Sequence, residues 1–331
     1  MSAVPEARPR RIGGDALRRL VSDNSAAVLV LVFVALFVLT DIVNRAQGSG
    51  AFLTPKQVST TFLYAAILGL IAAGQTLVML TGGIDLSVAT TATAAAFLVS
   101  RFGSHGAALA ISLALLVGLV VGLVNGIGVA LFRVNALIMT LGVSTITLGL
   151  LTVQAQKQFT ALVPNVVVTV GSSRFLHYVP YDLLIWAPIA AAILLGLRYS
   201  GIGRMVYAVG DNPVACRLAG VRVWQVQLFV YVVCGVLTAV AGILVVGFNN
   251  AADLGIGAPF LLPSVAAVVI GGTSIFGGLG GYSGTIVGAL ILTVLDSLLT
   301  ILNASAAIRQ MLYGAIILAL AALYARASRQ D

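Results

Sequence analysis

Apolar residues dominate the chain in long blocks, and short polar or glycine-rich stretches separate them. A helix needs about 20 apolar residues to cross a hydrocarbon core. On that measure ten spans are predicted, at 25–43, 59–80, 85–100, 107–131, 136–156, 181–198, 224–247, 260–275, 284–302 and 308–325. The third and eighth are short. Each adjoins a glycine-rich stretch, Thr81-Gly-Gly-Ile-Asp85 and Gly271–Gly281. Non-helical backbone at membrane depth survives only where it is buried in protein or lines water. Both places are therefore candidate parts of a translocation path, with Gly82, Gly83, Gly271, Gly272, Gly277 and Gly278 as gate or packing glycines. The segments 72–83 and 266–274 echo each other, both running an apolar helix into a glycine pair, as duplicated halves of transporters do.

One polar island interrupts this pattern, Tyr199–Arg222. It predicts a short helix over 213–219. Asn212 is a good N-cap and Pro213 suits the first helical position. Gly220 stands where a helix must turn left-handed to end. A helix of two turns is marginal alone in water, so it is expected to dock on something and to act as a lever for a soluble partner. The proposed coupling residues are Arg204, Asn212, Pro213, Val214, Ala215, Arg217 and Gly220. Arg204 and Arg217 suit bidentate contacts to carboxylates, and equally suit anchors at a membrane edge.

Composition sharpens the class. Hydrophobic residues make up 60%, charged ones 8%, and mean hydropathy is +1.09, against roughly 25% charge in soluble domains. The fold expected is an all-α polytopic membrane protein of about ten transmembrane helices, both termini cytoplasmic. The net charge of +8 does not signal nucleic acid. Only two of the 18 basic residues are lysine, and the arginines sit at span ends, as topology determinants do. With the N-terminus inside, 12 basic residues fall in the cytoplasm and 6 outside. The first apolar block follows a basic segment but has no small-residue cleavage site behind it, so it reads as an uncleaved span. This divides the chain into a basic segment 1–24, a transmembrane domain 25–325 with a cytoplasmic coupling segment 199–223 and an extracytoplasmic loop 157–180, and a tail 326–331. Within that loop Val166–Val170 reads as strand or interfacial segment. Cys216 and Cys234 give neither metal spacing nor an expected disulfide.

Polar residues inside the blocks are the candidates for a path: Gln75, Asp85, Asn125, Asn249 and Asn250. Asp85 also reads as a helix cap. Gln75 and Asn125 also read as helix-to-helix glue among small residues. Asp296 has no basic neighbour in sequence, and is expected either to face water or to be protonated.

Three motifs are similar to one family. Leu80-Thr-Gly-Gly-Ile-Asp-Leu-Ser-Val88, the stretch Gly203–Val221 and the stretch Val265–Gly281 resemble ribose-type sugar permeases of ATP-binding cassette (ABC) importers, in order and over nearly the whole chain. That family usually carries acidic residues in the helix at 213–219 and just before Ala266, where this chain has Pro213-Val-Ala-Cys216 and Phe260-Leu-Leu-Pro-Ser264. The resemblance implies a permease subunit for a simple sugar in the bacterial plasma membrane. Implied partners are a second permease copy or paralogue, an ABC ATPase subunit that binds the ATP and Mg, an extracytoplasmic sugar-binding protein, and membrane lipid. No cofactor or metal is expected on this chain, which has no G-x-x-x-x-G-K-[ST] loop for ATP phosphates. Two other readings compete. An ion-coupled secondary transporter would use Asp85 and Asp296. A rhomboid-like serine protease would use Ser283 in Gly281-Tyr-Ser-Gly284, and would need His105 or His177 as its base.

Overall fold

A computed structural model describes residues 25–48, 50–156, 161–176 and 178–327. The basic segment 1–24, Lys157, His177 and Arg329 lie outside them. The helices are α1 (Ser25–Ala46), α2 (Pro55–Leu80), α3 (Val88–Phe102), α4 (Ala107–Ala130), α5 (Ala136–Ala155), α6 (Asn165–Ser172), α7 (Tyr181–Tyr199), α8 (Gly201–Asp211), α9 (Pro213–Leu218), α10 (Val223–Asn249), α11 (Leu261–Ile270), α12 (Tyr282–Ile301) and α13 (Ala306–Ala327). Among the described residues seven helices are long and apolar enough to cross a membrane: α1, α2, α4, α5, α7, α10 and α12. The architecture is that of an all-α polytopic membrane protein. Each of the ten expected blocks holds a helix, and those at the third and eighth blocks are short, as the pattern predicts.

Helix α2 runs through the middle. Thr54 caps its start, accepting from the Gln57 N–H, and Pro55 opens the first turn. From Ala65 to Leu80 every residue is buried, which explains why the sequence there is apolar all round. Helices α4 and α10 pack along a glycine seam. A side chain at Gly118, Gly122 or Gly126 would collide with the α10 backbone at Gly235, Tyr231–Val232 and Leu228. Small residues let helix backbones approach closely in lipid, where no hydrophobic force drives them together.

The segment Val166–Val170 is helical, not a strand: α6 covers it, followed by a two-residue antiparallel hairpin that pairs Arg174 with Pro180 and Phe175 with Val179. The β-branched run favours strand locally. Packing overrides it, because α6 lies so close on α10 that a side chain at Gly171 would strike Gly247 and Phe248.

The two echoing segments end in the same way. At the end of α2, Gly82 donates to Met79 O and Gly83 to Val78 O; at the end of α11, Gly272 donates to Val269 O and Thr273 to Val268 O. Both are the paired bonds of a Schellman motif. Gly82 (φ +80°) and Gly272 (φ +86°) occupy its left-handed position, which other residues reach only at a cost of about 1–2 kcal/mol. The correspondence is thus Gly82 with Gly272, one residue off the pairing of the two glycine doublets.

Candidate functional site: a coupling helix clasped to two broken helices

The polar island folds into two helices rather than one. Helix α8, which the sequence reading missed, starts at the cap Ser200 and buries Gly203, Val206 and Val209. Their spacing of three residues is the signal that was available. Helix α9 is built as expected. The Asn212 side chain accepts from the N–H groups of Val214 (3.0 Å) and Ala215 (2.9 Å), and Pro213 opens the helix. At its end Gly220, at φ +82°, donates to Arg217 O, and Val221 to Cys216 O. Cys216 is the buried side of α9, while Val214 and Leu218 are 57% and 87% exposed. Two apolar side chains on a capped, exposed helix form a knob available to a partner.

The last turns of α8, next to α9, reach the end of α2 and the loop after α11. Gly278 N–H donates to Leu80 O at 3.0 Å, tying the loop after α11 to the end of α2. A methyl at Gly210 of α8 would overlap both the Leu80 carbonyl and the Gly278 amide. A side chain at Gly277 would lie 2.9 Å from Gly210 O and 3.0 Å from Gly82 N. Tyr207 of α8 adds a side-chain bond, its hydroxyl donating to Gly280 O at 3.1 Å. Burial raises the Tyr207 phenol above its ordinary range, so it stays protonated and able to donate. The three motifs, 80–88, 203–221 and 265–281, therefore converge on one point. On the far side of the loop, Gly271 and Gly284 press backbone to backbone.

Inside the fold, the link between α2 and α3 is held by polar side chains from three helices. Gln75, with its amide turned to satisfy both atoms, donates to Asp85 O (3.2 Å) and accepts from Asp85 N (3.3 Å). Thr140 of α5 accepts from Leu86 N and donates to Ile84 O. Asn125 of α4 donates to Ser87 Oγ at 2.8 Å. Asp85 is not the helix cap: α3 begins at Val88 with Ser87 before it, and Asp85 Oδ1 accepts from the N–H (2.8 Å) and hydroxyl (2.6 Å) of Ser87. The carboxylate holds the link in shape, with Asp85, Gln75 and Asn125 all buried.

Asn249 and Asn250 part company. Asn249 lines a cavity with Asp296, Arg309 and Tyr313, whereas Asn250 closes α10 in the left-handed conformation. Asp296 is paired: Arg309 Nη1 lies 3.2 Å from its Oδ1, and the Tyr313 hydroxyl donates to the same oxygen at 2.9 Å. The turn between α12 and α13 brings together residues 13 apart, beyond any helical spacing. Asp85 Oδ1 is thus taken up by Ser87, and Asp296 Oδ1 by Arg309 and Tyr313. Ser283 opens α12 beside the Gly271–Gly284 contact, while His105 lies past the C-terminal end of α3, and no hydrogen bond joins the two among the described residues. His105 stacks by Phe102 and meets Ser104.

The chain is thus polytopic, with the end of α2 and the loop after α11 tied to one another beside an exposed capped helix. The family described as "Branched-chain amino acid transport system / permease component" matches residues 57–321, and the chain belongs to it. Among its relatives, the ribose import permease protein of Bacillus subtilis (strain 168) is 35% identical over 86% of this chain and 89% of its own length. The L-arabinose ABC transporter permease protein of Azospirillum brasilense is 30% identical over 88% and 84%, and the autoinducer 2 import system permease protein of Yersinia enterocolitica is 31% identical over 91% and 82%. No solved structure gives a significant match.

Proposed function

We propose that this chain is the membrane-spanning subunit of a bacterial ABC importer for a simple sugar, driven by ATP hydrolysed on a separate subunit. In this reading the chain crosses the inner membrane ten times with both termini in the cytoplasm, and works as a pair with a second copy or paralogue. A sugar-binding protein delivers substrate from outside. The ATPase holds the ATP and Mg.

One observation carries the mechanism: Gly210, in the last turn of α8 and just before the cap of α9, is packed against Leu80 and Gly278. Closure of the ATPase dimer on Val214 and Leu218 would push α9. The push would pass through the α8–α9 junction at Gly210 to the end of α2 and the loop after α11 together, and so shift both. Arg204 and Arg217 would meet acidic groups of the ATPase. The sugar assignment is supported by the ribose and arabinose permeases among the relatives. The family also includes amino-acid permeases by its description, so uptake of labelled ribose against labelled leucine separates the two.

The direct test is photocrosslinking from Val214 in native membranes. Capture of an ABC ATPase is expected. Its absence, while a crosslinker placed at Gly142 on the open face of α5 still captures neighbours, would remove the lever from the account.

A further inference from the structure

We propose that the cavity between α2, α10, α11, α12 and α13 is a binding vestibule for one neutral polyol within a single subunit, centred on Asp296, Arg309 and Tyr313. The inference rests on the sugar reading and names the residues that would meet the substrate.

The cavity measures about 490 Å³, within the range of small-molecule sites. It lies at the end of the molecule away from the lever. Its α2 residues, Gln57 to Leu68, lie several turns before Leu80, and its α12 residues follow Tyr282 by several more. Its floor includes irregular backbone. After α10 the chain descends through Asn250–Gly257 until Gly257 N–H donates to Thr93 Oγ1 at 3.1 Å. Thr93 is nine residues from the end of α3, roughly 13 Å along its axis. Backbone without helical bonds at that depth is stable only against protein or water. Gly257 rests on the α3 backbone at Ala89, while Ile256 of this descent, and Pro259 and Phe260 just after it, line the cavity.

The wall chemistry selects the ligand. Asp296 and Arg309 neutralise each other, so the site presents no net charge. The side chains are 48% and 26% exposed, and a carboxylate within an apolar helix is a functional mark by default. Both protein bonds fall on Oδ1 of Asp296, and among the described residues Oδ2 accepts none. Arg309 uses Nε on Ala304 O and one Nη1 proton on Asp296, leaving three N–H donors. Thr61 and Thr300 give their protons to their own helices and keep lone pairs to accept, whereas Thr60 already accepts from Arg174. A ligand rich in hydroxyls uses all three kinds of partner without needing a counter-ion. Tyr64 and Phe260 supply flat apolar surface for the C–H face of a pyranose or furanose ring.

The test uses the complete transporter, with its ATPase and binding protein, in proteoliposomes. Asp296→Asn and Tyr313→Phe are expected to raise the KM for D-[14C]ribose uptake about tenfold and about threefold, the loss of a hydrogen bond to a charged group and of a neutral one. A single cysteine at Thr300, in a background with Cys216 and Cys234 replaced, is expected to react with a charged methanethiosulfonate added outside and to be protected by ribose-loaded binding protein. Protection by empty binding protein alone would overturn the vestibule in favour of a protein-docking surface. Wild-type KM in both variants, with ribose uptake intact in the parent, would overturn it while leaving the sugar reading standing. Uptake of labelled leucine and of no monosaccharide by the parent would overturn both.

Discussion

Individual residues divide into those that shape α9 and those that connect it. Asn212 satisfies two of the N–H groups that every helix leaves free at its start. Removing such a cap costs about 1 kcal/mol, which matters in a six-residue helix with little stability of its own. Asn212→Ala is expected to lower substrate-stimulated ATP hydrolysis severalfold with the amount of assembled transporter unchanged, measured in proteoliposomes. Gly210 tests the connection. Gly210→Ala must displace the Leu80 carbonyl or the Gly278 amide, so uptake should fall at least tenfold although the protein still inserts. Gly142→Ala and Gly314→Ala meet nothing within 4 Å, and uptake by both should match the parent. Equal activity in all three variants would show that the contact at Gly210 transmits nothing. The sequence named Asn212 because a cap is a local signal. It could not single out Gly210 among 36 glycines, because what makes Gly210 special is a carbonyl 130 positions away.

Helices as units show the same division. The short helix over 213–219 was legible from its punctuation, with Asn and Pro at one end and glycine at the other. Helix α8 was hidden because Gly201, Gly203 and Gly210 lower its intrinsic propensity; burial of Val206 and Val209 sustains it. A proline within 214–218 should break α9, and Gly220→Pro should do the same at its end, since proline holds φ near −65° and cannot take the +82° found there. Both should uncouple ATP hydrolysis from uptake without blocking membrane insertion. Full ATP-driven uptake in either would exclude α9 as a rigid lever. The α6 segment was ambiguous for a physical reason: five β-branched residues in a row prefer a strand alone, and only contact with Gly247 of α10 decides for helix.

For the whole molecule, the spans were legible because lipid requires about 20 apolar residues per crossing, a constraint written along the chain. The side on which each loop lies follows from arginine placement and can be checked directly. Cysteine replacing exposed Ser104 should label in intact cells, whereas cysteine replacing exposed Arg133 should label only after lysis; labelling of both from one side would undo the ten-span topology. By itself the sequence determined the class of protein, the membrane-grade helices, the two glycine-ended stretches and the capped short helix, since each depends on neighbours within a few residues. Only the tertiary structure decided that the three motifs meet at Leu80, Gly210 and Gly278, that Asp85 braces a link, and that Asp296 faces a cavity beside Arg309 and Tyr313. Those facts depend on distances between segments far apart in the chain, and helical periodicity does not encode which faces will touch.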